Sequence, residues 1–363
     1  MDFNLSDDHR MIQDMISRFI RDAYDFESRQ SFVASDKGYS QEIWTQLAEL
    51  GVIAAVLPEE VGGFGGTGLD IMVVMQQLGR GLLIEPYLAT AILGAGILAD
   101  VGGQEGLLEN IIAGETKVAF AHYAAGRRYN ASKLDTTAVK SGDGYSLTGN
   151  KSVVLNAACA DYLIVSADLD GHPALFLVSS SADNLTVRDY ATQDGGRAGE
   201  VLLEGVQATL IAEGEVAKTA ISNALARGTL AVGAEAIGAM EVARDMTVDY
   251  LKTRTQFGIN IGKFQALQHR MVDACLEIEQ ARSLVMLVAT KFEGDGAERD
   301  KLLSAMKVKI GQAGRLVGEE SIQMHGGIGM TWEYALGHYA KRLTMIDHQF
   351  GDVDYHLKRF MAA

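Results

Sequence analysis

Proline is nearly absent from these 363 residues, with three in all against 40 glycines. With so few helix-breaking rings, long uninterrupted helices are permitted over most of the chain. Cysteine is scarcer still. Cys159 and Cys275 stand far apart inside apolar runs, which argues against a disulfide and predicts buried free thiols. No His/Cys cluster has metal-ligand spacing, so no metal site is expected. Positive charge is in deficit, 32 Lys and Arg facing 47 Asp and Glu for a net charge of −15. That balance argues against a broad nucleic-acid surface or an anionic membrane surface, while leaving room for a local basic pocket. No window approaches the roughly 20 apolar residues of a membrane span. The opening Met1-Asp-Phe-Asn-Leu-Ser-Asp-Asp has no basic region followed by an apolar stretch, so no signal peptide is expected and a cytoplasmic protein is. What is present is a composition of 48% hydrophobic and 22% charged residues, which at this length allows two or three domains with sizeable cores.

Residues 1 to about 115 read as helical. Ser6-Asp-Asp-His opens a helix with a capping residue and an acidic first turn. Met11, Ile12, Met15, Ile16, Phe19 and Ile20 then recur at helical spacing. Gln41–Leu50 predicts a second helix stopped by Gly51, with further helices over Leu69–Gly79 and Tyr87–Val101. The glycine-rich stretch Leu57–Gly66 lacks the Lys-Ser/Thr of a P-loop and a preceding strand, so it reads as a turn between helices. From about Thr116 the pattern becomes short β runs at 117–121, 138–140, 145–149, 162–166 and 174–178. Turn signals at 141–144 and 170–172 separate some of them, which predicts a small antiparallel sheet or barrel ending near Ala212. Helical periodicity returns from Ala217.

Two stretches in the C-terminal third carry chemistry. Arg254-Thr-Gln-Phe-Gly-Ile-Asn-Ile-Gly-Lys-Phe-Gln-Ala-Leu-Gln-His269 lies between helical runs over Ala217–Thr253 and about Phe264–Phe292. Gly258 and Gly262 break the pattern, which predicts helix, short loop, helix. A planar Arg254 fork near Gln256 and Gln265 suits a phosphate or pyrophosphate, because guanidinium can hold two oxygens at once. An ordinary helical corner with a solvated Arg accounts for the same spacing. In Glu320-Ser-Ile-Gln-Met-His-Gly-Gly-Ile-Gly-Met330, Gly326 and Gly327 let backbone approach a ligand with no Cβ in the way. Gln323, three residues earlier, falls on the same helix side.

The pair R-x-Q-F-G…F-Q and Q-x-H-G-G-x-G, in this order, resembles the acyl-CoA dehydrogenase family. Trp44, Leu47, Gly51, Leu57, Pro58, Glu59, Gly62 and Gly63 match that family's N-terminal pattern. With the order helical, β, helical, the resemblance covers nearly the whole chain. It implies an α+β multidomain fold: an N-terminal helical domain (1–115), a middle small β-barrel or sheet domain (116–215) and a C-terminal four-helix bundle (216–363). It implies removal of two hydrogens from an acyl-CoA thioester, a carboxylate taking the α-proton and a flavin accepting the β-hydride. The implied cofactor is FAD, gripped across a subunit boundary. Arg254 and Gln256 are then expected on the pyrophosphate, Phe257, Phe264 and Gln265 along the cofactor's border, and Gln323, Gly326 and Gly327 as amide and backbone contacts. The implied partners are an acyl-CoA substrate, an electron-transfer flavoprotein as electron acceptor, and a homo- or heterotetramer with a sister subunit.

The chain also departs from the family pattern. The family's usual base lies in a Tyr-Glu-Gly-Thr segment after an arginine. Here the segment is Arg342–Asp354, with Phe350 at the tyrosine and Gly351 at the glutamate. Asp352, one residue on, becomes the candidate base. A second family position, just before an arginine of the C-terminal domain, is Ala226 before Arg227. Glu235 and Glu241, further along that helix, are expected to be solvated. In the β region, Phe120–Gly126 replaces T-E-P-x-A-G-S-D, and Lys151–Ala157 replaces K-x-W-I-T-N-G. Gly149, Lys151, Asn156 and Asp161 are retained, but the aromatic and hydroxyl positions are Val153 and Leu155. Motifs that serve a neighbour's FAD are thus kept, and several that serve the chain's own are lost. This resembles the smaller, divergent subunits of heteromeric enzymes acting on bulky acyl-CoAs, such as steroid side-chain or ring-derived thioesters. Three readings stand: such a dehydrogenase, a non-catalytic partner completing a sister subunit's site, and a related flavin monooxygenase.

Overall fold

A computed structural model describes residues 5–363; Met1–Asn4, the start of the segment read for a signal peptide, lie outside the described residues. Helix α1 (Asp7–Ala23) begins where Ser6 accepts a hydrogen bond from the His9 amide at 3.2 Å. Helices α2 (Phe26–Val33) and α3 (Gln41–Glu49) follow, the second capped by Ser40. Helix α4 (Gly68–Gly81) opens with a capping box in which Thr67 and Asp70 bond reciprocally. The helix expected over 87–101 is π-wound at Leu88–Ala95 before it becomes α5 (Gly96–Val101). Within that wide turn Thr90 exchanges hydrogen bonds with both backbone groups of Val118. Helix α6 (Glu105–Ile112) precedes the sheet.

Seven strands then follow: β1 (Val118–Ala121), β2 (Thr137–Ser141), β3 (Gly144–Leu155), β4 (Tyr162–Leu169), β5 (His172–Ser179), β6 (Leu185–Ala191) and β7 (Arg197–Glu213). Their pairing runs β4–β2–β3–β7–β5 and returns to β4, so the sheet closes into a small barrel, with β1 on β4 and β6 on β7. Leu147, Val165, Phe176, Val201 and Leu203 fill its interior. The antiparallel expectation needs one correction: β4 runs parallel to both β1 and β2, because those strands are joined to it by long connections rather than hairpins. Asp170 and Gly171, both at positive φ, make the two-residue turn between β4 and β5. Gly205, at φ +81°, bulges the long β7 where its register with β3 shifts.

The remaining helices are long. Helix α7 (Gly214–Thr253) runs 40 residues, about 60 Å at 1.5 Å per residue. After it come α8 (Gln265–Lys291), α9 (Gly296–His325), α10 (Leu336–His348) and α11 (Val353–Ala362). Gly79 of α4 and Gly238 of α7 let these two helices approach closely, since a Cβ on either would strike the other's backbone carbonyls. The loop expected after α7 is a β-hairpin, β8 (Thr255–Gln256) paired with β9 (Ile259–Asn260). Its turn residues Phe257 and Gly258 lie at φ +55° and +78°, the two left-handed positions of a type I′ turn. The two cysteines are free and half-buried, not fully buried as expected. No described helix is long and apolar enough to cross a membrane.

Two compact units result. One comprises residues up to 29, 67–83 and 229–363 and is helical apart from the hairpin; the other comprises 30–66 and 84–228 and contains the barrel.

Candidate functional site

Within the helical unit, the hairpin after α7 is held by backbone bonds and by the Asn260 side chain, which donates to the Lys252 carbonyl and accepts from the Thr255 hydroxyl. The Arg254 amide donates to the Tyr250 carbonyl at 2.8 Å, and the Ile261 amide donates to the Arg254 carbonyl at 3.0 Å. Gln268 Nε2 ties the following turn by donating to the Gly262 carbonyl at 2.9 Å. Residues 252–260 are all exposed. Among the described residues the Arg254 guanidinium has no ion-pair or hydrogen-bond partner, and Gln256 donates only to the adjacent Thr255 carbonyl. Phe257 is 88% exposed and meets Phe264 edge-on, ring centroids 6.2 Å apart. Gln265 is exposed at the first turn of α8. An exposed guanidinium three residues before an exposed aromatic ring, in a chain of net charge −15, is an arrangement that can take an anion.

Helix α9 ends beneath a second open surface. Gln323 is exposed in the last turn of the helix. Gly326, at φ +67°, and Gly327 are exposed too, and a Cβ built on either would meet nothing within 4 Å. His325, the last residue of α9, is buried and joins this end to α7. Its ring stacks on Tyr250 at 4.4 Å and lies 5.4 Å from the Tyr334 ring. Tyr250 is in the last turn of α7, four residues before Arg254, so the ring stack ties the two sequence motifs together. Leu251, Met271 and Met324 form a small apolar core of their own in this unit.

The segment read for the catalytic base is closed. The Lys307 ammonium is fully buried and donates to three carbonyls, Ile346 at 2.8 Å, Asp347 at 3.0 Å and Gly351 at 2.7 Å. A cation on the last carbonyls of α10 also satisfies the negative end of that helix. Burial pushes Lys307 down to about 8. Phe350 and Gly351 turn the chain at φ +58° and +119°. Asp352 is 9% exposed, and its Oδ1 accepts from the Tyr355 amide at 2.9 Å as the N-cap of α11. A Cβ at position 351 would run into the Tyr355 ring and lie 2.7 Å from His356 Nε2. His356 is itself buried, with Nε2 3.1 Å from the Phe350 carbonyl. Burial, and then the Lys307 charge, push His356 down to about 4.

Glu235 and Glu241 are not the solvated helix residues expected; each is 5% exposed. Glu235 accepts both arms of Arg342, at 2.6 Å each. Glu241 takes Gln76 at 2.7 Å, Arg282 at 2.7 Å, and Arg80. Their partners come from helices remote in sequence, so helical periodicity alone offered no sign of them.

The barrel unit carries a separate polar cluster. Lys151 is fully buried, donating to the His122 carbonyl at 3.0 Å and to Ser166 Oγ at 3.1 Å. His122 Nδ1 lies 2.9 Å from the same hydroxyl. Burial pushes Lys151 down to about 7 against the opposing pull of the Asp135 charge; burial and the Lys151 charge push His122 down to about 3. Val153, which stands at the family's aromatic position, is 54% exposed at φ +53°, beside a register shift in β3. Leu155 is half-buried. Asp161 Oδ2 accepts from the Lys117 amide at 2.8 Å, which accounts for its retention in structural terms.

Comparison with known proteins agrees with this architecture over almost the full length. Residues 6–112 match the acyl-CoA dehydrogenase N-terminal domain, 124–206 the middle domain and 218–359 the C-terminal domain. The acyl-CoA dehydrogenase IpdE2 of Mycolicibacterium smegmatis is 30% identical over 340 residues, 93% of each chain. The ChsE4-ChsE5 complex from Mycobacterium tuberculosis contains a chain that superposes with TM-score 0.91 at 25% identity, covering 100% of this chain and 98% of that one. The Tcur3481-Tcur3483 steroid ACAD superposes with TM-score 0.88 at 27% identity, covering 98% and 97%. The chain therefore belongs to the acyl-CoA dehydrogenase family, flavoprotein oxidoreductases that use FAD and act on acyl-CoA.

His325, inside its own motif, proves central to the packing, as do Lys307 and His356, which lie outside the motifs named above. Lys307 had a faint signal, since a lysine between Met306 and Val308 in an apolar helix stretch must find buried acceptors.

Proposed function

We propose that this chain is one subunit of a heteromeric FAD-dependent dehydrogenase acting on a bulky acyl-CoA, steroid side-chain or ring-derived. We take 1–115, 116–215 and 216–363 as its domains, the cytoplasm as its setting and an electron-transfer flavoprotein as its electron acceptor. The single observation that carries the reading is the contrast between an open Arg254 with its neighbouring glycines and the filled position at Gly351. The solved relatives support it: one is a complex of two named subunits and another is a steroid enzyme of paired designation.

In this reading Arg254 and Gln256 grip the pyrophosphate of FAD in the adjacent chain. Phe257, Phe264 and Gln265 border the cofactor, and Gln323, Gly326 and Gly327 give amide and backbone contacts. An exposed Arg254 guanidinium with no partner among the described residues, and glycines with empty space above them, fit such a group. FAD, when bound, supplies the hydride acceptor. Asp352 is the carboxylate this chain offers as base. Its engagement as a helix N-cap, and the Tyr355 and His356 rings over position 351, favour a second version. In that version a sister subunit provides the base, and this chain completes the sister's cofactor site.

FAD content per chain and native mass, measured with and without a co-expressed sister subunit, test both. We expect a flavin-poor product alone and half a flavin per chain in the complex. A stable assembly of this chain alone with one tightly held flavin per chain would overturn the partner reading.

A further inference from the structure

His325 stands between the two segments assigned to FAD, and its hydrogen bonds define its chemical state. Nδ1 lies 2.8 Å from the Ser321 carbonyl, which can only accept, so Nδ1 carries the proton. Nε2 is then a bare acceptor, and the Tyr334 hydroxyl donates to it at 3.3 Å. The ring is 4% exposed and pressed against Tyr250 at 4.4 Å with an interplanar angle of 24°. Three contacts to three different parts of the chain thus meet on one imidazole. They are the last turn of α9, the last turn of α7, and the segment after the Gly326–Met330 turn. That turn leans on the same residue, because a Cβ on Gly329 would lie 3.0 Å from His325 Cβ. On the α7 side, Tyr250 passes the constraint on directly, its carbonyl accepting from the Arg254 amide at 2.8 Å.

From this geometry we infer that His325 is a positioning residue for FAD: it sets the Gly326–Gly327 surface and the Arg254 hairpin in register with each other. The inference rests on the reading above that this face grips FAD. His325 needs no contact with the cofactor. It acts by removing the freedom of two segments that are individually exposed and supported by few side chains, so that binding need not order them. A merely structural histidine would support the fold without linking the two segments energetically.

The test is FAD affinity in the assembled complex for Arg254→Ala, His325→Ala, the double variant, His325→Gln and Tyr334→Phe. Amide hydrogen exchange over 254–260 and 326–330 is followed alongside. We expect His325→Ala to weaken FAD binding about tenfold. The double variant should lose clearly less than the product of the two single losses, the signature of coupled sites. His325→Gln, which can still donate to Ser321 and accept from Tyr334, should recover most of the affinity, and Tyr334→Phe should lose about threefold. Exchange should rise in both segments together for His325→Ala. If Arg254→Ala weakens FAD while His325→Ala does not, or the losses multiply independently, the positioning role is overturned and the FAD reading stands. If Arg254→Ala leaves FAD affinity unchanged, the FAD reading itself falls, and the inference with it. Should His325→Ala fail to assemble, Tyr334→Phe with the exchange measurement decides between the same outcomes.

Discussion

Arg254 and Asp352 both sit at helix ends in the same helical unit, yet their surroundings differ in every respect that chemistry can use. Arg254 follows the last turn of α7 with its charge in solvent and no partner among the described residues. Asp352 lies at the start of α11 with an oxygen bonded to the backbone, beside a corner whose carbonyls are held by a buried lysine. An open polar group keeps its full capacity for a ligand. A satisfied one must break a native contact before it can act. The contrast teaches that family-type motifs and family-type positions can part company within one unit, one left available for binding and the other consumed by the fold.

The largest effect is expected where the closed corner is opened. Lys307→Met leaves three carbonyls without their donor, and stability should fall by about 3 kcal/mol in denaturant titrations. A loss under about 1 kcal/mol would mean the corner is not clamped as described. The same corner should be acid-sensitive. His356 titrates near 4 when folded and near 6.5 when unfolded, so between these values the unfolded chain holds the extra proton. Stability should therefore fall as pH drops from about 6.5 to 4, by up to about 3 kcal/mol at about 1.4 kcal/mol per unit. The His356→Gln variant should have a flatter profile than wild type over that window; parallel profiles would refute the assignment.

The open side should behave in the opposite way. Arg254→Ala removes an exposed residue, so stability should change by less than about 0.5 kcal/mol. FAD retention in the complex should nonetheless drop about ten- to a hundredfold, the worth of a charge-assisted contact. Equal effects on stability and retention would blur the comparison. The smallest change is expected at Asp352. Losing the cap in Asp352→Ala should cost about 1 kcal/mol of stability. If a sister subunit supplies the base, turnover of the intact complex should stay within about twofold; a collapse of turnover would return the base to this chain.

Much of the fold was legible in residue patterns. Ser6 caps the helix it was expected to start, and the Asp170-Gly171 turn joins the strands on either side. The motif pair and the helical, β, helical order are enough to indicate the family. Less legible was β7, whose alternation is interrupted by the Gly205 bulge, so the period-two signal breaks mid-strand. The π-wound segment over Leu88–Ala95 was likewise hidden, because its apolar residues satisfy helical periodicity of either kind.

The sequence by itself determined the local elements and the identity of the chemistry-bearing residues, because caps, turns and amphipathic spacing act over a few positions. Only the tertiary structure decided which of those residues remain available. Glu235 and Glu241 look solvated along their helix but are neutralised by Arg342, Arg80 and Arg282. The glutamate position at Gly351 looks vacant in the sequence but is closed by the Tyr355 and His356 rings. Pairing and exclusion depend on side chains far apart in the chain meeting in space, and no short-range pattern records that meeting.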